Sequence, residues 1–222
     1  MASKLKEFTV SAARPLPVVV LADVSGSMGV DGKIQALNHA MKEMVTAFQD
    51  EADLRAEIQL AVVTFGGTAQ LHLPLGPARN AAWTDLGAAG GTPMGAAFDL
   101  ARELIEDRGQ VPNRAYRPTI VLVSDGQPTP PACEVEPLRR LLDSERGGKA
   151  FRMALAIGAD ADQAVLSAFL ASPDARVFRA DEARQIRQFF QLVTMSVSAR
   201  SRSADPNVNV VPALMPGDGW DL

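Results

Sequence analysis

Unbroken apolar runs alternate along this chain with stretches in which apolar residues return every three or four positions. Residues 16–22 are continuously apolar and rich in Val, the pattern of a strand covered on both faces. Ile34, Leu37, Met41, Met44, Val45 and Phe48 then mark one face of a helix over about 33–50, since three- and four-residue spacing places side chains on one stripe. A second strand is predicted at 56–65. Gly66-Gly67 turns the chain into 69–75, where Leu71, Leu73 and Leu75 alternate as on an edge strand with one covered face. The second half continues with helix 93–107, strand 119–124, helix 134–145, strand 150–157, helix 162–171, a short strand at 176–178 and helix 181–199. Repeated strand–helix units predict an α/β fold: a Rossmann-like, open, mostly parallel six-stranded sheet with one antiparallel edge strand and helices on both faces. We expect an N-terminal extension over 1–14, one domain over 15–200 and a flexible tail over 201–222.

Composition narrows the partners. The chain has 222 residues, 47% hydrophobic and 22% charged, ordinary usage for one globular core. A formal charge of −4 with scattered Arg and Lys argues against nucleic acid. No apolar stretch approaches the ~20 residues that cross a bilayer, so no membrane partner is expected. Cys133 is the single cysteine, which excludes an intrachain disulfide and fits a reducing cytoplasm.

In open parallel sheets, sites form beyond the carboxyl ends of strands where strand order reverses. Two predicted strands end there on an aspartate, Asp23 and Asp125. Asp23-Val24-Ser25-Gly26-Ser27 sets a carboxylate and two hydroxyls at alternate positions, and Gly90-Gly91-Thr92 leads into a helix. Hard oxygens gathered at one rim suit Mg²⁺, with Mn²⁺ or Ca²⁺ as alternatives.

Asp23-x-Ser25-x-Ser27, Thr92 after paired glycines, and Asp125 in Ser124-Asp125-Gly126 resemble the complete metal-ion-dependent adhesion site of von Willebrand factor A domains. The opening Leu21-Ala-Asp-Val-Ser-Gly-Ser-Met28 looks most like the TerY group of bacterial tellurite-resistance proteins. The resemblance implies that Ser25 and Ser27 coordinate the cation directly, that Thr92 does so directly or through water, and that Asp23 and Asp125 act mainly through water or hydrogen bonds. It further implies a protein partner whose Asp or Glu completes the coordination, and a stress-response setting with a kinase and phosphatase pair.

Simpler readings stand beside each motif. Thr92-Pro93 is a good helix start, with Thr capping and Pro at the first helical position. Ser25-Gly26-Ser27 and Ser124-Asp125-Gly126 could each be a turn. His39 and His72 are expected at the surface, and Cys133 is expected to begin a helix as an incidental thiol. Asp31 and Asp85 are expected in loops near the metal edge, where solvation alone explains them. Trp83 is a candidate partner contact or a satellite of the core. Trp220 and Asp221 form a candidate docking motif in the tail.

A cation-dependent binding module is therefore the leading function. The alternatives are a metal-assisted phosphoester hydrolase and a purely structural metal-knit subunit. Against hydrolysis, the Gly90–Gly95 loop lacks the lysine of a phosphate-binding loop, and no Ser–His–Asp arrangement is evident.

Overall fold

The computed structural model describes residues 13–51 and 56–208. β1 (Arg14–Asp23) lies inside a six-stranded sheet, which is why its Val run needs cover on both faces. It pairs in parallel with β2 (Ala56–Gly66) on one side and β4 (Thr119–Ser124) on the other. β3 (Thr68–Pro77) runs antiparallel along the outer side of β2. β5 (Phe151–Ile157) and β6 (Phe178–Ala180) extend the sheet beyond β4, giving the order β3-β2-β1-β4-β5-β6. The chain steps outward from β1 in one direction and from β4 in the other, so the crevice between their carboxyl ends is the switch point.

Helices cover both faces. α1 (Lys33–Gln49) and α5 (Ala183–Arg202) pack against Leu16, Val18 and Val20 through Leu37, Met41, Phe48, Phe189 and Phe190. α2 (Met94–Glu106), α3 (Val135–Asp143) and α4 (Gln163–Leu170) cover Val19 and Leu21. There Phe98 and Phe169 stack with centroids 5.8 Å apart. Each fully buried Phe or Leu contributes about 1.5–3 kcal/mol of transfer free energy, set against the entropy of ordering it.

Three expectations shift. β6 sits two residues later than 176–178, because Phe178 rather than Val177 pairs with Leu155. β3 does not keep one covered face: Leu71 is exposed, Leu73 packs toward α1 and Leu75 toward α2. Register shifts between Leu60 and Val63 explain this, since an extra residue turns the following side chains to the opposite face. α5 continues to Arg202, past the expected end at 199.

Arg200 anchors that last turn although it is 1% exposed. It donates to Pro206 O at 2.8 Å, Thr119 Oγ1 at 2.6 Å and Arg117 O at 2.7 Å. Its guanidinium also lies 4.1 Å from the Phe151 ring centroid. Burial, together with the neighbouring Arg117 charge, pushes its pKa down to about 10. Residues 203–208 turn back here, with Asn207 accepting from Arg117 N at 2.9 Å. Trp220, Asp221 and most of the expected tail and N-terminal extension lie outside the described residues. Among the described residues, no helix is long and apolar enough to cross a membrane.

Candidate metal site

Three loops meet at the carboxyl ends of β1 and β4, and backbone hydrogen bonds lace them together. Gly26 N donates to Gly90 O at 2.9 Å and Ala89 N to Val24 O at 2.8 Å, joining the first loop to the second. Thr129 N donates to Thr92 O at 2.9 Å, joining the second to the third. Met28, fully buried, pins the short 3₁₀ turn Gly26–Gly29 into the core. Asn38 holds the second loop to α1, donating to Leu86 O at 2.9 Å and accepting from Leu86 N at 2.7 Å. Close approach explains two glycines. A Cβ on Gly66 would fall 2.7 Å from Ala89 O and nearer still to Val24 O. Gly90 has φ of +76°, and a Cβ there would lie 2.6 Å from Gly67 Cα.

The side chains form a connected cluster. Ser25 Oγ and Ser27 Oγ are 3.0 Å apart, and Ser27 Oγ donates to Asp125 Oδ1 at 2.7 Å. With its proton on Asp125, Ser27 must accept from Ser25. Thr92 joins from the second loop: a Cβ built on Gly126 would stand 3.8 Å from Ser27 Oγ and 3.9 Å from Thr92 Oγ1. Three oxygens, from Ser25, Ser27 and Asp125, thus run in direct contact, and the Thr92 hydroxyl lies beside Gly126 as Ser27 does. Octahedral Mg²⁺, with bonds of about 2.1 Å, needs neighbouring oxygens about 3 Å apart, so the spacing fits a divalent cation. Among the described residues no group of three His, Cys, Asp or Glu could hold a metal, so any cation here is held largely by hydroxyls.

Asp23 lies beneath this layer, fully buried. Its Oδ1 accepts from Ser25 N at 2.8 Å and its Oδ2 from Ser124 Oγ at 2.6 Å. Burial raises its carboxyl above the ordinary value of 3.8, the bonds from Ser124 and Ser25 pull it back, and the Asp125 charge adds to the rise. Desolvation disfavours the charged form, and a nearby cation would restore it. The structural cation already present is Lys33, whose Nζ donates to Asp125 Oδ2 at 2.8 Å.

All five expected residues therefore lie at one edge. Ser25, Ser27 and Asp125 are in direct contact, Thr92 is adjacent, and Asp23 supports them from below. Thr92 does not cap α2: the helix begins at Met94, Pro93 occupies the N-cap position, and no side chain caps it. Ser124 and Lys33 belong to the site but were not expected. Ser124 carried a weak signal, as a hydroxyl closing an apolar strand. Lys33 carried another, as a cation in a helix's first turn, where the dipole favours acids.

The remaining candidates stand apart. His39 is exposed and 3.3 Å from Glu43. His72 lies at the surface, half-covered, with its Nε2 2.9 Å from Thr84 O and its ring edge-on to Trp83. Trp83 is half-buried against the core, the satellite reading. Cys133 precedes α3 by two residues instead of beginning it. Asp31 and Asp85 are exposed. The densest basic pair of the sequence, Arg139-Arg140, is spent on Glu136, Asp143 and Asp99.

Comparison with known proteins bears on the fold. Residues 18–127 match the family model of the von Willebrand factor type A domain, so over that span the chain is similar to such domains. A search of curated proteins gives no match. Among solved structures, a von Willebrand factor type A protein from Catenulispora acidiphila superposes with a TM-score of 0.65 at 19% identity, over 83% of this chain and 43% of that one. Proximal thread matrix protein 1 from the mussel byssus, with a zinc-occupied adhesion-site motif, gives 0.61 at 17% identity, over 85% and 48%. The pilus adhesin SpaC from Lactobacillus rhamnosus GG gives 0.65 at 16% identity in its open conformation, over 84% and 30%. This chain spans less than half the length of each of these relatives. At such identities the likeness establishes the fold.

Proposed function

We propose that this chain is a non-enzymatic, divalent-cation-dependent protein-binding module. The cation would be held by Ser25, Ser27 and Thr92, with Asp23 and Asp125 orienting them, and would bind an Asp or Glu of a protein partner. The observation that carries this reading is the run of close oxygens from Ser25 through Ser27 to Asp125, with Thr92 beside it. Neutral hydroxyls compensate little of a cation's charge. A bound Mg²⁺ or Mn²⁺ therefore keeps its attraction for a further carboxylate. The cation supplies a Lewis-acidic point of attachment, and the chain supplies the rigid oxygen cradle around it.

Two observations favour binding over catalysis. Both histidines of the chain are engaged elsewhere, His39 with Glu43 and His72 with Thr84, so neither serves the site as a general base. Each carboxylate of the site already accepts two internal hydrogen bonds. The zinc-bearing adhesion-site motif of the byssus protein supports a divalent ion, and the adhesin SpaC supports a binding role. A setting in a bacterial tellurite-resistance or stress-response system, beside a kinase and phosphatase pair, rests on the Leu21–Met28 opening alone, and a cytoplasmic location rests on the single cysteine.

Immobilised peptides bearing Asp or Glu, set against their Asn or Gln counterparts, test the proposal. Retention of the acidic peptides by the wild type in Mg²⁺, lost in EDTA and in Ser27→Ala, is the expected result. Equal retention of acid and amide peptides, or retention unaffected by EDTA, would refute carboxylate capture through a cation.

A further inference from the structure

Lys33 is the first residue of α1, and nothing local explains a lysine there. A cation in the first turn opposes the helix dipole, and Gly32 before it, at φ of +73°, provides no side-chain cap. Its side chain reaches away from the helix to Asp125, which is fully buried, while only 21% of the Lys33 side chain is exposed. The end of β5 makes room for it: a Cβ on Gly158 would stand 3.7 Å from Lys33 Nζ and 3.8 Å from its Cε. Asp125 is thus shared, with Oδ1 held by Ser27 and Oδ2 by the ammonium.

From this sharing we infer that Lys33 sets the charge of the metal site, weakening its hold on the cation and strengthening the loaded site's demand for a partner carboxylate. The inference rests on the cation-dependent reading above and deepens it. Asp23 and Asp125 bring two negative charges, and Lys33 returns one. A divalent ion then leaves the assembly positively charged, where without Lys33 it would be neutral. An ammonium fixed on one oxygen of a carboxylate repels a cation drawn to the other, and in a partly buried site that repulsion is poorly screened. Removing the charge should therefore move two affinities in opposite directions. A lysine that merely props Asp125 in place would do the reverse for the cation, because its loss would free the carboxylate and blunt the cradle.

Titration calorimetry of Lys33→Met, Lys33→Gln and Lys33→Arg with MnCl₂ and MgCl₂ tests this. Gln keeps a donor toward Asp125 without the charge, so it guards against misfolding of the Met variant. Both uncharged variants should bind Mn²⁺ more tightly by on the order of ten-fold, and Arg should stay near the wild type. Acetate then serves as the minimal carboxylate, read by the water relaxation of bound Mn²⁺. The loaded uncharged variants should bind it several-fold more weakly than the loaded wild type. Unchanged or weaker Mn²⁺ binding in the Met and Gln variants, or equal acetate binding, overturns the inference. If the wild type binds Mn²⁺ and Ser27→Ala does not, that failure falls on Lys33 alone. If neither the wild type nor the uncharged variants take up cation, the metal reading beneath it falls as well.

Discussion

Ser124 Oγ donates to Asp23 Oδ2 at 2.6 Å, tying the end of β4 to the end of the neighbouring β1. Asp23 is fully buried, and its other oxygen accepts from Ser25 N. The bond therefore both satisfies a buried charge and fixes the angle at which the first loop leaves the sheet. Ser124→Ala leaves one carboxylate oxygen unpaired, at a cost of about 1–3 kcal/mol. Urea denaturation should show that loss, and calorimetry should show weaker Mg²⁺ uptake. Wild-type values in both would deny Ser124 its place in the site.

The raised pKa of Asp23 gives a pH dependence with a definite sign. Between the unfolded value of 3.8 and the higher folded value, the native chain holds more protons than the unfolded one. Stability therefore falls as pH rises through that window. Asp23→Asn lacks the titration, so in EDTA the wild type should lose stability relative to Asp23→Asn as pH climbs above 3.8. Saturating Mg²⁺ at neutral pH should restore much of the difference, because a cation stabilises the ionised carboxylate. Parallel stability curves for the two proteins would contradict this account of the buried charge.

Gly66 and Gly90 allow the first and second loops to touch. Gly66→Ala places a methyl group against two backbone carbonyls, those of Val24 and Ala89, which cannot swing aside as a side chain can. We expect a loss of about 2–4 kcal/mol, above the usual cost of a point mutation. Gly87→Ala is the control, since a Cβ there meets nothing within 4 Å. Thermal denaturation of the two variants side by side makes the comparison.

Arg200 separates fold from site. It binds at Thr119, where β4 begins, whereas Ser124 and Asp125 lie at and just beyond its other end. Arg200→Met abandons three hydrogen bonds but also removes a buried charge, and the first effect should win, because its acceptors lose donors in a closed space. The expected loss is about 1–3 kcal/mol. Mg²⁺ affinity measured below the melting range should not change.

The central strands were legible because Val runs such as Val18-Val19-Val20 and Thr119-Ile-Val-Leu-Val123 have few other places to go in a chain of this composition. Six strands, their helices and the mixed sheet follow from that alternation. The sheet margins were less legible. β6 is three residues long, and its register is set by Leu155 rather than by local pattern. The face reversal in β3 depends on register shifts against its partner β2, where β3 carries the extra residues. In the site, Asp23, Ser25 and Ser27 were readable as a motif, while Lys33 and Ser124 were not. Their partners lie 92 and 101 residues away along the chain, and no spacing rule reaches so far. Thr92 was legible as a residue of interest, but its competing role as a cap disappears once α2 is seen to begin at Met94.

Titration calorimetry of the wild type and Ser27→Ala with MgCl₂ and MnCl₂ decides whether the hydroxyl cradle holds a cation. Ser27 is exposed at the rim, so its loss should cost about 1 kcal/mol of stability or less. One cation should bind per wild-type chain, and Ser27→Ala should bind it at least ten-fold more weakly. A wild-type protein that takes up neither ion, or a variant that binds both equally well, would contradict it.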